Sequence, residues 1–99
     1  MLSSSEQAEE KIVAREFEIR NRQGIHARPA SLFVKIASRY DANVTVQKDD
    51  SRVSGKSIMS LLTLAASCGT RLKVTAQGED AEEAMEELAQ LIENNFEVE

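Results

Sequence analysis

The sequence has 99 residues, one cysteine, no tryptophan and a formal net charge of −5. This length predicts one domain. The single cysteine excludes an internal disulfide and fits a reducing cytoplasm, and no apolar run approaches the roughly 20 residues of a membrane-spanning helix. The charge is uneven, at −3 over residues 1–10, +7 over 11–73 and −9 over 74–99. The basic middle can attract a negatively charged partner, but nucleic acid is not expected because its basic groups are scattered and almost without aromatic neighbours.

The N-terminal residues 1–10 are rich in serine and glutamate. They lack the basic start and the apolar core of a signal peptide, so we predict a flexible extension followed by one domain over residues 11–99. The first strand is predicted over residues 12–19, where alternation places Phe17 and Ile19 on the inward face. The lack of a signal-peptide pattern and the single cysteine together predict a cytoplasmic location.

A helix and a hairpin are predicted next. Proline is well placed in the first turn of a helix, and Pro29 precedes an apolar-periodic run, so a helix is predicted from residue 27 to residue 39 or 40. Residues 43–48 alternate between apolar and polar side chains, and a tight turn at 49–51 leads into a short strand at 52–54. These two strands are expected to pair as a hairpin.

A second helix is predicted to begin at Ser57, with Ser54 or Gly55 as its cap, and to end at Gly69. Its apolar residues recur at helical spacing. A third long strand is predicted over residues 71–77, where apolar side chains alternate with polar ones. Leu72, Val74 and Ala76 are expected to face inward.

The last helix carries the clearest amphipathic pattern in the chain. Asp80 followed by Glu83 is a capping-box pattern that predicts where it begins. Its apolar stripe comprises Ala81, Ala84, Met85, Leu88, Leu91, Ile92 and Phe96. The element order is therefore β-α-β-β-α-β-α. It predicts an α+β fold, an open-faced two-layer sandwich with a four-stranded antiparallel sheet covered on one face by helices.

The stretch Gly24-Ile25-His26-Ala27-Arg28-Pro29-Ala30 holds the only histidine and the only proline. A lone histidine near a helix start is commonly structural, and that alternative stays open. A helix N-terminus, however, disfavours the imidazolium form and stabilises an anion bound to the ring. Arg28 can hold phosphoryl oxygens with its forked guanidinium group, so the residues favour a phosphoryl carrier with His26 as the nucleophile.

Other chemistries fit the chain less well. One histidine and one distant cysteine fall short of a zinc ligand set, so no metal is expected. Cys68 is predicted to be a small buried residue at the end of a helical run, where no helix N-terminus stabilises a thiolate. Gly55-Lys56-Ser57 is not a phosphate loop, because Asp50 stands where that motif needs glycine. No nucleotide or other cofactor is expected.

Ser57 is a candidate regulatory site, because a phosphate is tolerated at a helix start and changes the surface charge. The alternative is an ordinary first-turn serine. Ile58, Met59 and Leu62 form an apolar group beside it. The default for such a group is the core, and partial exposure would make it a partner-docking patch.

Two motifs resemble those of a known family. Gly24-Ile25-His26-Ala27-Arg28-Pro29-Ala30 resembles the active-site signature of HPr, the histidine-containing phosphocarriers of the bacterial phosphoenolpyruvate:sugar phosphotransferase system. Gly55-Lys56-Ser57-Ile58-Met59 resembles the regulatory-serine motif of that family. The run from Gly78 through Ala81 to Leu88 resembles the entrance to its last helix. The resemblance covers about residues 12–97.

The resemblance implies roles for three residues. His26 would accept a phosphoryl group on Nδ1 from phospho-enzyme I and pass it to a sugar-specific enzyme IIA, while Arg28 holds the phosphoryl oxygens. Ser57 would be phosphorylated by an HPr kinase/phosphorylase, and this phosphorylation should weaken transfer from enzyme I. The other implied partner is a transcriptional regulator. The protein is expected to be a monomeric carrier rather than an enzyme.

Two competing hypotheses remain at this stage. The first is a regulatory interaction module that acts through phosphorylated Ser57 without relaying phosphoryl groups; His26 argues against this as the sole role. The second is an oligonucleotide-binding α+β domain, which salt-sensitive binding to nucleic acid would support.

Overall fold

The computed structural model describes residues 11–97, so the predicted extension over 1–10 lies outside the described residues. The order of elements is β-α-β-β-α-β-α, as predicted. The strands are β1 (Ile12–Glu18), β2 (Asn43–Lys48), β3 (Ser51–Ser54) and β4 (Arg71–Gln77). The helices are α1 (Ala27–Ala37), α2 (Ile58–Thr63) and α3 (Ala81–Glu93).

The four strands form one antiparallel sheet in the order β1-β4-β2-β3. Strand β4 lies between β1 and β2, and its Leu72, Val74 and Ala76 are buried as the alternation predicted. Strand β3 begins one residue earlier than expected, because Ser51 pairs with Lys48 across the hairpin. The turn is therefore two residues long, with Asp49 at a positive φ of 54°.

The core lies between the sheet and the helices on one face, which confirms the predicted two-layer sandwich. All seven residues of the predicted apolar stripe of α3 are buried. Phe96 belongs to that stripe although the helix ends at Glu93, because the chain turns back and keeps its ring in the core. Phe17 and Ile19 are also buried as predicted, although the first strand ends at Glu18, one residue before its predicted end.

Helix α1 begins at Ala27 as predicted but ends at Ala37, two or three residues early. The next amides bond to carbonyls three residues back, from Arg39 N to Ile36 O at 3.0 Å and from Tyr40 N to Ala37 O at 3.2 Å. This tighter turn is a common way for an α-helix to end.

The predicted limits of the second helix were wrong at both ends. Its cap is Ser57 rather than Ser54 or Gly55, because the Ser57 hydroxyl accepts a hydrogen bond of 3.2 Å from the Ser60 amide. The helix ends at Thr63 instead of reaching Gly69. Beyond its last turn, Lys48 Nζ donates to the carbonyls of residues 64 and 65, at 3.0 and 3.4 Å. A long-range side chain thus satisfies carbonyls that a longer helix would have paired.

The capping box predicted for α3 is also absent. Asp80 is the N-cap residue, but its side chain makes no capping hydrogen bond within the helix. Its two carboxylate oxygens instead accept hydrogen bonds of 2.9 Å each from the amides of Asp41 and Ala42. The residue therefore fixes the start of α3 to the connection between α1 and β2.

Tyr40 joins the end of α1 to α3. Its hydroxyl donates a hydrogen bond to the Glu87 carboxylate, which also accepts one of 2.6 Å from Arg39. The hydrogen bond to Glu87, followed by partial burial and the charge of Glu87, raises the pKa of Tyr40 above its usual value of 10.0. The folded protein thus holds this proton more tightly than the unfolded chain does.

This contact predicts a loss of stability at alkaline pH. The contribution of Tyr40 is complete below pH 10 and disappears as the pH rises through the raised pKa of Tyr40. Tyr40 is the only tyrosine and tryptophan is absent, so an ultraviolet absorbance titration reports this residue alone. We expect Glu87→Ala to move the midpoint back towards the usual value, and Glu83→Gln, which removes a weaker influence, to move it less. An unchanged midpoint in Glu87→Ala would contradict the assignment.

Candidate functional site

His26 is the N-cap residue of α1, and its extended backbone turns the chain into the helix. Its side chain makes no capping hydrogen bond, while its carbonyl accepts the first helical bond, 3.0 Å from Ala30 N. The third helical residue is Pro29, which has no amide hydrogen. The amides of Ala27 and Arg28 are therefore free donors at this helix end, and the first turn contains no acidic residue.

This helix end is suited to an anion attached to the His26 ring. Free backbone amides and the positive end of the helix dipole stabilise negative charge at a helix N-terminus. The His26 side chain is exposed, so a partner protein can reach it. The absence of a side-chain cap leaves these amides available to such an anion.

The loop before His26 is fixed by the connection between α2 and β4. The amide of Ile25 donates to the Ala66 carbonyl at 2.8 Å, and the amide of Gly24 donates to Asn21 O at 3.0 Å. The Asn21 side-chain amide bonds back to the Gly24 carbonyl at 2.6 Å. Gly24 adopts a φ of +70°, and a Cβ placed there would lie 2.3 Å from the Ala66 oxygen. Glycine is needed here for both its conformation and its size.

We expect Gly24→Ala to destabilise the protein more than the matched control Gly69→Ala. Both glycines have positive φ, but a Cβ at Gly69 would meet no atom within 4 Å. Strain alone predicts a loss of about 1–3 kcal/mol for Gly69→Ala. The overlap with backbone atoms predicts about 3 kcal/mol or more for Gly24→Ala. Urea unfolding measures both, and equal losses would show that the contact with Ala66 is unimportant.

His26 and Arg28 line one open cleft of about 630 Å³ together with the C-terminal end of the described chain. Asn95 and Phe96 have positive φ values of 57° and 61°, and they turn the chain back towards α1 after the last helix ends. Among residues 11–97, the lining residues are Asn21, Arg22, Gln23, His26, Arg28, Pro29, Asn95, Phe96 and Glu97. The cleft thus brings two arginines and one carboxylate to the histidine.

Ser57 and the apolar group beside it lie outside the lining of this cleft, on the neighbouring helix α2. Helices α1 and α2 are in contact, so these residues adjoin the histidine-bearing helix. Met59 is 72% exposed and Ile58 38% exposed, whereas Leu62 is partly buried against the core. Ile58 and Met59 therefore form the exposed part of the predicted docking patch.

Sequence reasoning missed Arg22 as a member of the site. Arg22 lines the cleft, and no acidic group among residues 11–97 lies within ion-pairing distance of it. The available signal was the run from Arg20 to Arg28, which holds three arginines and no acidic residue. The alternation and capping patterns do not reveal which of these arginines turn towards the histidine.

The prediction for Cys68 was wrong, because this residue is exposed in the connection between α2 and β4. The early end of α2 explains the difference, since Cys68 lies five residues beyond the helix. Its thiol is 3.5 Å from the Arg20 carbonyl.

Over residues 11–97, no group of three potential metal ligands is present, and no helix is long and apolar enough to cross a membrane.

The fold and the site define a class of small open-faced α+β sandwiches in which a histidine stands at the entrance of the first helix. A family model described as the PTS HPr component phosphorylation site matches residues 13–94. The phosphocarrier protein HPr of Treponema pallidum is 40% identical over 88 residues, which cover 89% of this chain and 100% of that relative. The HPr-like protein Crh of Bacillus subtilis is 47% identical over 78 residues, covering 79% of this chain and 92% of Crh.

A solved structure agrees with these matches. HPr-C-His from Thermoanaerobacter tengcongensis superposes with a TM-score of 0.83 at 44% identity, covering 88% of this chain and 98% of that one. The chain therefore belongs to the HPr family of the phosphotransferase system, which confirms the resemblance found in its motifs. The family is one of phosphocarrier proteins rather than classical enzymes. One structure of Bacillus subtilis Crh is described as a dimer with a swapping domain.

Proposed function

We propose that the protein carries a phosphoryl group on His26 Nδ1 between phospho-enzyme I and a sugar-specific enzyme IIA. The observation that supports this most directly is the position of His26 as the N-cap of α1, with no side-chain cap to occupy the free amides. In the first transfer, the Nδ1 lone pair forms a bond to phosphorus as the bond between phosphorus and enzyme I breaks. In the second transfer, the bond between phosphorus and Nδ1 of His26 breaks as enzyme IIA forms a bond to phosphorus.

The site supports a reversible carrier because it stabilises charge without further covalent chemistry. A neutral imidazole nitrogen is a nucleophile that needs no adjacent base. The amides of Ala27 and Arg28 and the positive helix end stabilise the phosphoryl oxygens once the group is attached. Arg28 supplies a guanidinium from the same cleft, which matches phosphoryl oxygens in charge and geometry. No cofactor enters either step.

Ile58 and Met59 provide the docking surface, together with the partly buried Leu62. Exposed apolar groups beside a reactive centre are suited to protein partners, and Met adapts to several surfaces because its side chain is flexible. Enzyme I, enzyme IIA and the HPr kinase/phosphorylase would use this patch in turn. We place the carrier in the cytoplasm, and we expect a monomer to be sufficient, although Crh can dimerise.

Ser57 gives the site a second, regulatory function. Its hydroxyl lies at the start of α2, where phosphate is compatible with the helix dipole. Phosphorylation by the HPr kinase/phosphorylase would place about −1.5 to −2 charges next to the docking patch. The similarity to Crh, which is named as a catabolite repression protein, favours this role, and the phosphorylated form would then bind a transcriptional regulator.

Incubation with enzyme I and phosphoenolpyruvate tests the carrier function. The intact protein is expected to gain one phosphoryl group that is labile in acid and stable in alkali, as a phosphohistidine is. Addition of an enzyme IIA should then remove it. Failure of the native protein to gain any phosphoryl group under conditions that label an active HPr would overturn the proposal.

A further inference from the structure

We propose that Arg22 is a second phosphoryl-binding residue, which contacts the group on His26 from the turn that precedes α1. This inference rests on the proposed carrier function. Arg22 lines the same cleft as His26 and Arg28. Its side chain is exposed, and no carboxylate among residues 11–97 competes for its guanidinium group within 4.0 Å. It is therefore available to an incoming anion.

The charges in the cleft favour two cations over one. A phosphoryl group near neutral pH carries about −1.5 to −2 charges, judged from phosphorylated side chains. Arg28 supplies only +1, and Glu97 adds a negative charge to the same cleft. Without Arg22 the charges of Arg28 and Glu97 cancel, whereas with Arg22 the charged side chains of the cleft sum to +1 and attract the phosphoryl group.

The backbone around Arg22 is fixed although its side chain is free. The turn is closed by the bond from Gly24 N to Asn21 O, and the Asn21 side chain binds the Gly24 carbonyl. The next residue, Ile25, is bound to Ala66. Arg22 consequently lies in a turn that is held in place relative to His26 without any contact from the Arg22 side chain. Its substitution should leave the loop intact.

Arg20 provides a matched control from the same segment. It is exposed and, like Arg22, has no ion pair within 4.0 Å in the described part of the chain. Arg20 lines a different surface pocket, together with Glu16 and Glu18, and it is not among the residues that line the cleft of His26. The variants Arg20→Gln and Arg22→Gln therefore change the net charge equally but differ in their access to the phosphoryl group.

The equilibrium between the protein and phosphoenolpyruvate distinguishes a phosphoryl contact from a docking contact. With catalytic enzyme I and a fixed ratio of phosphoenolpyruvate to pyruvate, the fraction phosphorylated depends only on the free energies of the two forms. Docking to enzyme I changes the rate of approach but not this fraction. A residue that holds the phosphoryl group must change it.

We expect Arg22→Gln to lower the equilibrium ratio of phosphorylated to free protein about three- to tenfold, as for an exposed charge-assisted contact. Arg20→Gln should leave the ratio unchanged. Arg22→Lys should fall between Arg22→Gln and the native protein, because it keeps the charge but loses the forked geometry. A ratio in Arg22→Gln equal to that of the native protein would overturn the inference, even if transfer were slower.

Two further outcomes are informative. Equal decreases in the Arg20 and Arg22 variants would show a general charge effect and would also overturn the specific contact. A native protein that gains no phosphoryl group would refute the carrier function itself, which is a different result from a labelled protein whose Arg22 variant behaves normally.

Discussion

The His26→Gln variant should gain no phosphoryl group from phospho-enzyme I and phosphoenolpyruvate, whereas the native protein gains one. The reason is that, within the described part of the chain, no other side chain that lines the cleft offers a neutral nitrogen nucleophile. The remaining members are amides, arginines, a proline, a phenylalanine and the carboxylate of Glu97. Because arginine stays protonated in proteins, neither Arg22 nor Arg28 can replace the imidazole. Loss of transfer below the detection limit is the expected result, measured by the mass of the intact protein.

Glu97 is the residue to control for, since a carboxylate can accept phosphoryl groups. An acyl phosphate is labile in alkali, whereas phosphohistidine is stable there, so the stability of any residual label identifies its acceptor. His26 is exposed and its side chain caps nothing, so His26→Gln should unfold in urea within about 0.5 kcal/mol of the native protein. A well-folded variant that is labelled as fully as the native protein would refute the assignment of His26.

Local patterns were sufficient to predict most of the fold. The alternation in β4 and the apolar stripe of α3 predicted which side chains are buried, because each pattern has the period of its own element. Pro29 likewise placed the start of α1 correctly. These features depend on neighbours within one or two turns, which a sequence displays directly.

The errors arose where residues far apart in sequence interact. Asp80 has the spacing of a capping box, yet its carboxylate binds amides almost 40 residues earlier. Lys48 binds the carbonyls beyond the end of α2, so the helix stops well before Gly69. Neither contact can be read from local spacing, because the spatial proximity is created by the sheet and its connections.

In the candidate site, too, the residues close together in sequence were predicted and those brought in from a distance were not. His26 and Arg28 lie two residues apart at a helix start, so the sequence predicted that they would share one surface. Arg22 and Glu97 reach that surface through a turn and through the reversal of the chain after α3. Asparagine is a residue that often adopts positive φ, so Asn95 is compatible with a turn, but the positive φ of Phe96 has no sequence signature. The contributions of Arg22 and Glu97 to the cleft therefore required the structure.

The Ser57→Asp variant should receive phosphoryl groups from enzyme I about tenfold more slowly than Ser57→Asn, or more slowly still. Both side chains are good N-cap residues, so each can replace the hydroxyl that now accepts from the Ser60 amide. They differ by one negative charge beside the exposed Ile58 and Met59, where enzyme I is proposed to dock. A negative charge added at the docking surface weakens association with enzyme I, so the effect should appear mainly in KM.

The equilibrium ratio of phosphorylated to free protein separates this effect from a disturbance of His26. Ser57 does not line the cleft, so Ser57→Asp should change the rate of phosphorylation much more than the ratio finally reached. Phosphorylation of Ser57 adds about −1.5 to −2 charges and should slow transfer further than the aspartate does. Equal rates for the Asp and Asn variants would show that charge at this position does not control docking. A reduced ratio without a change in rate would instead place the influence of Ser57 on the phosphohistidine itself.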